Sequence, residues 1–398
     1  MTELSPQLED RFRFRAACSE LQTQSLLRRR LTLDSPQGTS VRLGTETLLN
    51  FCSNDYLDLA NDPRLVAALK AGADQYGVGA GASALVCGRS RAHEELEQQV
   101  AHFTGRDRAL LFCSGYMANL AVGASGLVGA RDLMVEDRLN HASLIDAARI
   151  SGAHLRRYRH CDADGAARLI HSSPERKLVL TDGVFSMDGD LAPVSRLAQL
   201  CHETGALLVV DDAHGLGVIG NQGGGVLELT GADQIDVPVL MGTFGKAVGT
   251  AGAFIAGPDD IIEYLYQSAR TYIYTTAPPP ALAHATGCAL NLIAAEPERR
   301  QQLSNLIACF RAGAGQLGLP LLISDTPIQP LILGCPRAAV ELSTRLRAAG
   351  ILATAVRPPT VPASLSRLRI TITAGHSVDN IEFLLEQLAR LLKAEQKK

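Results

Sequence analysis

Tryptophan is absent from this chain of 398 residues, and no uninterrupted apolar run reaches the roughly eighteen residues that a membrane-crossing helix needs. The first thirty residues mix both charge signs and lack the apolar stretch of a secretory leader, so an unexported, cytoplasmic protein is expected. No C-x-x-C pair occurs among the nine cysteines, and their odd number is spread along the chain. That pattern argues for reduced thiols and against a zinc knuckle or a disulfide framework. An excess of one charge sign is missing too, because 38 Lys and Arg face 41 Asp and Glu for a net charge of −3. Apart from Arg28-Arg29-Arg30 the basic residues are scattered, which leaves no footprint for a nucleic acid or a membrane surface and points to small-molecule partners. Internal repeats and low-complexity tracts are also missing, and the length suits a large domain with a smaller companion.

What is present divides the chain into three parts. Residues 1–47 read as an arm, a polar Arg-rich helix and a short connection, with Leu21, Leu26 and Leu27 among charged neighbours. Residues 48–280 alternate helical stretches with short apolar runs at 108–113, 133–136, 177–180, 207–210, 238–241 and 253–256. That alternation predicts an α/β domain, a mainly parallel sheet with helices on both faces. Pro278-Pro279-Pro280 cannot donate backbone hydrogen bonds and marks the expected boundary. Residues 281–398 then read as a smaller α+β domain, with helices at 281–295, 298–317 and 378–392 and strands at 328–333, 351–355 and 368–372.

The chemistry concentrates in two strings. Thr243-Phe244-Gly245-Lys246 follows an apolar run, and Lys246 lies 35 residues after Asp211, which itself ends the run from Ala206 to Val210. A lysine placed directly after a buried strand is desolvated, its pKa falls, and it becomes an imine-forming amine. A carboxylate at the carboxyl end of a neighbouring strand sits where open α/β sheets bind ligands. Together the two strings suggest a Schiff base with pyridoxal phosphate, whose pyridine nitrogen would pair with Asp211. Ser114-Gly115-Tyr116 ends one strand and opens a helix, a position that suits a phosphate. His141, after the strand near 133–136, is placed to stack on a pyridine face, and Ser186 lies in the turn-rich loop from Asp182 to Asp190.

Gly77-Val78-Gly79-Ala80-Gly81-Ala82 fits a dinucleotide fingerprint and raises a nicotinamide dehydrogenase as a rival. The residues before it read as a helix, though, and the fingerprint needs a strand there. His93-Glu94-Glu95-Leu96-Glu97 lacks the second histidine of a zinc-binding H-E-x-x-H, so no metal is expected.

The strings Cys52-Ser53-Asn54-Asp55-Tyr56-Leu57, Ser114-Gly115-Tyr116, Asn140-His141-Ala142-Ser143, Asp211 to Gly215 and Thr243 to Lys246 make the chain, over nearly its whole length, similar to the α-oxoamine synthases. These are fold-type-I pyridoxal phosphate enzymes that condense an amino acid with an acyl thioester and release carbon dioxide. Asp58 stands where that family has glycine. The resemblance implies Lys246 as the Schiff-base lysine and proton carrier, Asp211 as partner of the pyridinium, His214 and Ser186 on the ring oxygen, and His141 stacked on the ring. It also implies Gly115, Tyr116 and Thr243 at the cofactor or its phosphate, with Thr275 or Thr276 reaching the phosphate of a neighbouring subunit in a homodimer. Arg369 would hold the amino-acid carboxylate with Asn54 close by, and Arg28 and Thr360 would meet the acyl substrate. Arg357-Pro358-Pro359-Thr360-Val361-Pro362 followed by Arg367-Leu368-Arg369 resembles the branch that joins L-alanine to a pimeloyl thioester, of coenzyme A or acyl carrier protein, in biotin biosynthesis. Glycine C-acetyltransferase, 5-aminolevulinate synthase and serine palmitoyltransferase share the lysine and aspartate strings and are the nearest rivals. A non-catalytic partner subunit is the rival of another class.

Overall fold

The computed structural model describes residue 8, residues 11–171 and residues 176–395. Two strands, β1 (Ser40–Leu43) and β2 (Glu46–Asn50), form an antiparallel hairpin that turns at Gly44, whose φ of +59° suits a glycine. Seven more build the central sheet: β3 (Arg108–Phe112), β4 (Leu133–Asp137), β5 (His154–Tyr158), β6 (Lys177–Asp182), β7 (Leu207–Asp211), β8 (Val239–Thr243) and β9 (Ala253–Gly257). Their order is β3-β9-β8-β7-β6-β4-β5, and only β9 runs against the others.

Strands β4, β6, β7 and β8 are nearly continuous apolar runs because helices cover both faces, so almost every side chain is buried. All of the six apolar runs read between 108 and 256 are strands of this sheet. Strand β5 was not anticipated. Its sequence His-Leu-Arg-Arg-Tyr is largely exposed, as an edge strand with one neighbour permits, and it carries no apolar signal.

The remaining strands are β10 (Ile328–Ile332), β11 (Ile351–Leu352), β12 (Thr354–Val356) and β13 (Arg367–Thr371). They form an antiparallel sheet in the order β10-β13-β12, while β11 pairs in parallel with β2. The expected strand at 351–355 is thus two short strands serving different sheets. The helix Pro336–Ala348, absent from the sequence reading, joins β10 to β11.

The expected limits at 48 and 280 each fall within an element that packs across them. Strand β2 spans position 48 and belongs to a sheet shared with the C-terminal part, Leu49 N–H donating to Gly350 O at 2.8 Å. Residue 280 opens the helix Pro280–Ala295, which packs against Pro63–Tyr76 and Arg91–Thr104 of the larger unit. Part of the expected arm is therefore strand, β1 and β2, and its helix Phe14–Thr23 has no buried residue. Gly77 caps the helix Pro63–Tyr76 at a φ of +78°, so no strand precedes the glycine run. Asp58 sits at a φ of +56°, the left-handed conformation that the family's glycine would favour.

Candidate active site

The carboxyl ends of β3, β4, β6, β7 and β8 meet around a cavity of about 190 Å³ whose lining includes Gly115, Tyr116, His141, Ser186, Asp211, His214, Thr243 and Lys246. Sequence-predicted residues from five separate segments thus share one space. Asp211 ends β7, where its Oδ2 accepts from Asn119 Nδ2 at 2.7 Å and its Oδ1 from the Ala213 N–H at 3.0 Å. Asn119, fully buried in the helix Gly115–Ala124, also donates to Ser143 Oγ at 2.8 Å, and that hydroxyl lies 2.7 Å from His141 Nδ1. A continuous polar chain therefore runs from Asp211 to His141. Asn119 was not singled out from sequence, because its amide gains meaning only where its helix crosses the end of β7.

Lys246 lies in the turn that follows β8, and burial lowers its pKa to about 8, against the opposing pull of Asp211 and Asp182. An amine of that affinity is partly unprotonated near neutral pH. Asp182 ends β6 beside Asp211 and accepts the His141 N–H at 3.0 Å through Oδ2, while Oδ1 is buried without a partner. Burial first and the neighbouring Asp211 second raise its pKa well above the carboxylate range. Desolvation, opposed by Asp211, lowers the pKa of His141.

On the opposite wall, burial and the nearby Lys246 and Arg369 push His214 well below its ordinary pKa, so its imidazole is neutral. The Tyr56 hydroxyl lies 2.6 Å from His214 Nδ1, and Arg369 Nη2 donates to the Tyr56 oxygen at 3.4 Å. The same hydroxyl also stands 3.3 Å from Asn54 Oδ1, so it joins His214, Arg369 and Asn54 in one polar cluster. Arg369, on β13, also donates to Ser186 O at 2.7 Å and to Asn54 Oδ1 at 3.1 Å. Through Ser186 and Tyr56 it links the small sheet to the cavity without lining it.

Anion chemistry sits at the start of the helix Gly115–Ala124, where Ser114 Oγ caps the Met117 N–H and leaves the first N–H groups of the helix facing the cavity. A Cβ on Gly115 would stand 3.5 Å from Met241 Cε and 3.9 Å from Thr243 Cβ, taking up the cradle that a phosphate needs. Thr243 Oγ1 donates to Gly252 O at 2.9 Å and so is fixed at the same end. The ring of Tyr116 meets that of His141 edge-on at 6.4 Å and its hydroxyl donates to Asp146. An imine-forming lysine, an anion cradle, a carboxylate held for a pyridinium and a neutral donor for the ring oxygen together fit pyridoxal phosphate.

A second cavity of about 320 Å³ adjoins through Arg369 and is lined by Arg28, Thr360, Arg357 and Cys52. Arg28 donates to Pro358 O at 3.4 Å and Arg357 to Leu27 O at 2.9 Å, so the arm and the Pro358-Pro359 turn close over it together. Asn54 lines neither cavity directly and reaches both through Arg369. Thr275 and Thr276 stand outside both cavities, with Thr276 exposed and bridged to Ser83.

Fold and cavity define a fold-type-I pyridoxal phosphate enzyme. The family profile of aminotransferase class I and II matches residues 46–388. A curated relative from Hahella chejuensis, 8-amino-7-oxononanoate synthase, is 56% identical over 366 residues, covering 92% of each chain. Another of that name from Methylococcus capsulatus is 53% identical over 381 residues, covering 96% of this chain and 98% of its own. Among solved structures, a serine palmitoyltransferase from S. paucimobilis with a bound adduct of PLP and myriocin superposes at a TM-score of 0.91, with 26% identity over 97% of this chain and 98% of that one. An 8-amino-7-oxononanoate synthase from Francisella tularensis superposes at 0.76, with 30% identity over 88% and 99%. The chain belongs to the aminotransferase class I and II family and, within it, to the group of 8-amino-7-oxononanoate synthases.

Proposed function

We propose that this chain joins L-alanine to a pimeloyl thioester, giving 8-amino-7-oxononanoate, carbon dioxide and the free thiol, as a cytoplasmic homodimer of the biotin pathway. The observation that carries the reading is Lys246 and Asp211 lining one cavity at the carboxyl ends of neighbouring strands, in a chain more than half identical to synthases of that name. When bound, pyridoxal phosphate supplies an electron sink that weakens the Cα–H and Cα–carboxylate bonds of the amino acid.

The chain's own residues do the rest. Asp211, oriented by Asn119 and the Ala213 N–H, holds a proton on the pyridine nitrogen. His214 and the Ser186 hydroxyl would bond the ring oxygen, and the helix start at Gly115 with Thr243 would take the phosphate. Arg369 would bind the alanine carboxylate beside Asn54. Lys246 Nζ takes the Cα proton and later returns one, a role its affinity near pH 8 allows. Arg28 and Thr360 line the adjoining cavity for the acyl chain, and Thr275 or Thr276 extends toward a partner's phosphate. Metal ligands have no part in the reading.

The test is a titration of the protein loaded with pyridoxal phosphate, following its visible absorption with L-alanine, glycine or L-serine. The expected result is a spectral change saturating at the lowest concentration with L-alanine. Preference for L-serine would move the chain toward the palmitoyltransferases, and the absence of any visible chromophore after adding the cofactor would overturn the catalytic reading.

A further inference from the structure

His160 follows the edge strand β5, outside the cavity, and both of its ring nitrogens face carboxylates. Its Nδ1 is 3.1 Å from Asp137 Oδ1 at the end of β4, and its Nε2 is 2.7 Å from Asp190 Oδ2 in the loop after β6. A neutral imidazole has one N–H and can donate to only one of them, so the arrangement calls for the imidazolium. Burial works to lower its proton affinity, but the bonds to Asp137, Asp190 and Cys161 outweigh it and raise the pKa to about 12. The charge on this ring is a fixed feature across the working range of pH.

What the ring grips is the segment from Val184 to Asp190, folded on itself by Phe185 N–H to Asp190 O at 3.0 Å and Gly189 N–H to Phe185 O at 2.8 Å. Phe185 also meets the His160 ring edge-on at 4.4 Å. The same loop turns Ser186 into the cavity and offers its carbonyl to Arg369 Nε at 2.7 Å. On its far side Arg367 of β13 pairs with Asp188 and donates to Met187 O at 3.1 Å. One side of the loop is therefore tied to the small sheet and, at Gly189 O, to the hydroxyls of Ser324 and Thr326, and the other to β4 by the charged ring of His160, with the weaker Cys161 thiol beside it.

We propose that His160 is a positioning residue, a cationic cross-link between Asp137 and Asp190 that sets the loop bearing Ser186 and, through the Ser186 carbonyl, the guanidinium of Arg369. This rests on the proposed function, in which Ser186 meets the cofactor and Arg369 the amino-acid carboxylate. Removing the ring leaves Asp137 with the N–H groups of Leu139 and Cys161, at 2.8 and 2.7 Å, Arg367 on Asp188 and the Ser324 and Thr326 hydroxyls on Gly189 O, so the fold survives while the Asp190 side of the loop loses its charged tie to β4.

The experiment compares His160→Ala with the parent for the dissociation constant of pyridoxal phosphate, read by absorption or fluorescence without turnover, and for the KM of each substrate. Expected are rises of about tenfold or more in that constant and in the KM for L-alanine, a smaller change for the thioester, and partial recovery on adding imidazole. A structural loss alone would move both KM values together and would not respond to imidazole. A His160→Ala protein with both quantities within about twofold of the parent would overturn the proposal. If that variant does not fold, Asp190→Ala, which frees the loop from the ring but keeps the bond from His160 to Asp137, decides by the dissociation constant and the two KM values. A parent protein that fails to bind pyridoxal phosphate would instead overturn the proposed function, so the two failures are distinct.

Discussion

Replacing Lys246 by methionine separates what this residue does for chemistry from what it does to the fold. Its ammonium is buried at the bottom of the cavity, and its proton affinity falls from the ordinary 10.5 to about 8 chiefly through that burial. At about 1.4 kcal/mol for each tenfold loss of affinity, holding the charged form in the cofactor-free fold costs about 3 kcal/mol at pH 7. The sign follows from proton counts. Between pH 8 and 10.5 the unfolded chain binds this proton and the folded one does not, so stability of the parent rises across that window. Methionine has similar length and no charge, so Lys246→Met should abolish turnover and yet stabilise the cofactor-free protein at pH 7, by up to about 3 kcal/mol. Urea unfolding of both proteins, freed of cofactor, at a series of pH values is the assay. The gap should be widest below pH 8 and close toward pH 10.5. A Lys246→Met protein that is less stable than the parent at pH 7, or a gap indifferent to pH, would refute the placement of a strained ammonium there.

Four further substitutions probe the surroundings. Asp211→Ala should lower kcat by several powers of ten, and Asn119→Ala, which removes one charge-assisted bond of about 1.5–3 kcal/mol from Asp211, should weaken cofactor binding by about tenfold or more in a fluorescence titration. Tyr56→Phe removes the hydroxyl that bonds His214 Nδ1 and accepts from Arg369, so the KM for L-alanine should rise more than that for the thioester in steady-state assays. Gly225→Ala should destabilise the fold by about 3 kcal/mol or more in thermal or urea unfolding, because Gly225 has a φ of +81° and its added Cβ would fall 1.8 Å from Asp212 Oδ2.

Buried strands announced themselves, since Leu207–Asp211 and Val239–Thr243 lie between two layers of helix and so carry unbroken apolar runs ending in the functional residue. Strand β5 has one neighbour and faces solvent, and β1 and β2 lie in a polar stretch whose hairpin joins the C-terminal part only by meeting β11. No local pattern encodes such a pairing. The same distinction runs through the site. Lys246, Asp211, His214 and Gly115 occupy strand ends and helix starts, where position alone implies chemistry. Asn119, Asp182 and Tyr56 act by touching those residues from other elements, and His160 acts two contacts away, through Asp190 and the loop of Ser186.

The central claim is that this cavity joins L-alanine to a pimeloyl thioester, and product analysis tests it most directly. Purified protein with pyridoxal phosphate would be incubated with pimeloyl thioester and L-alanine, glycine or L-serine in parallel, and the products weighed by mass spectrometry. The expected products are 8-amino-7-oxononanoate with L-alanine and carbon dioxide in equal amount, with nothing formed by the Lys246→Met protein. A condensation product formed preferentially from glycine or L-serine, or undiminished product from Lys246→Met, would contradict it.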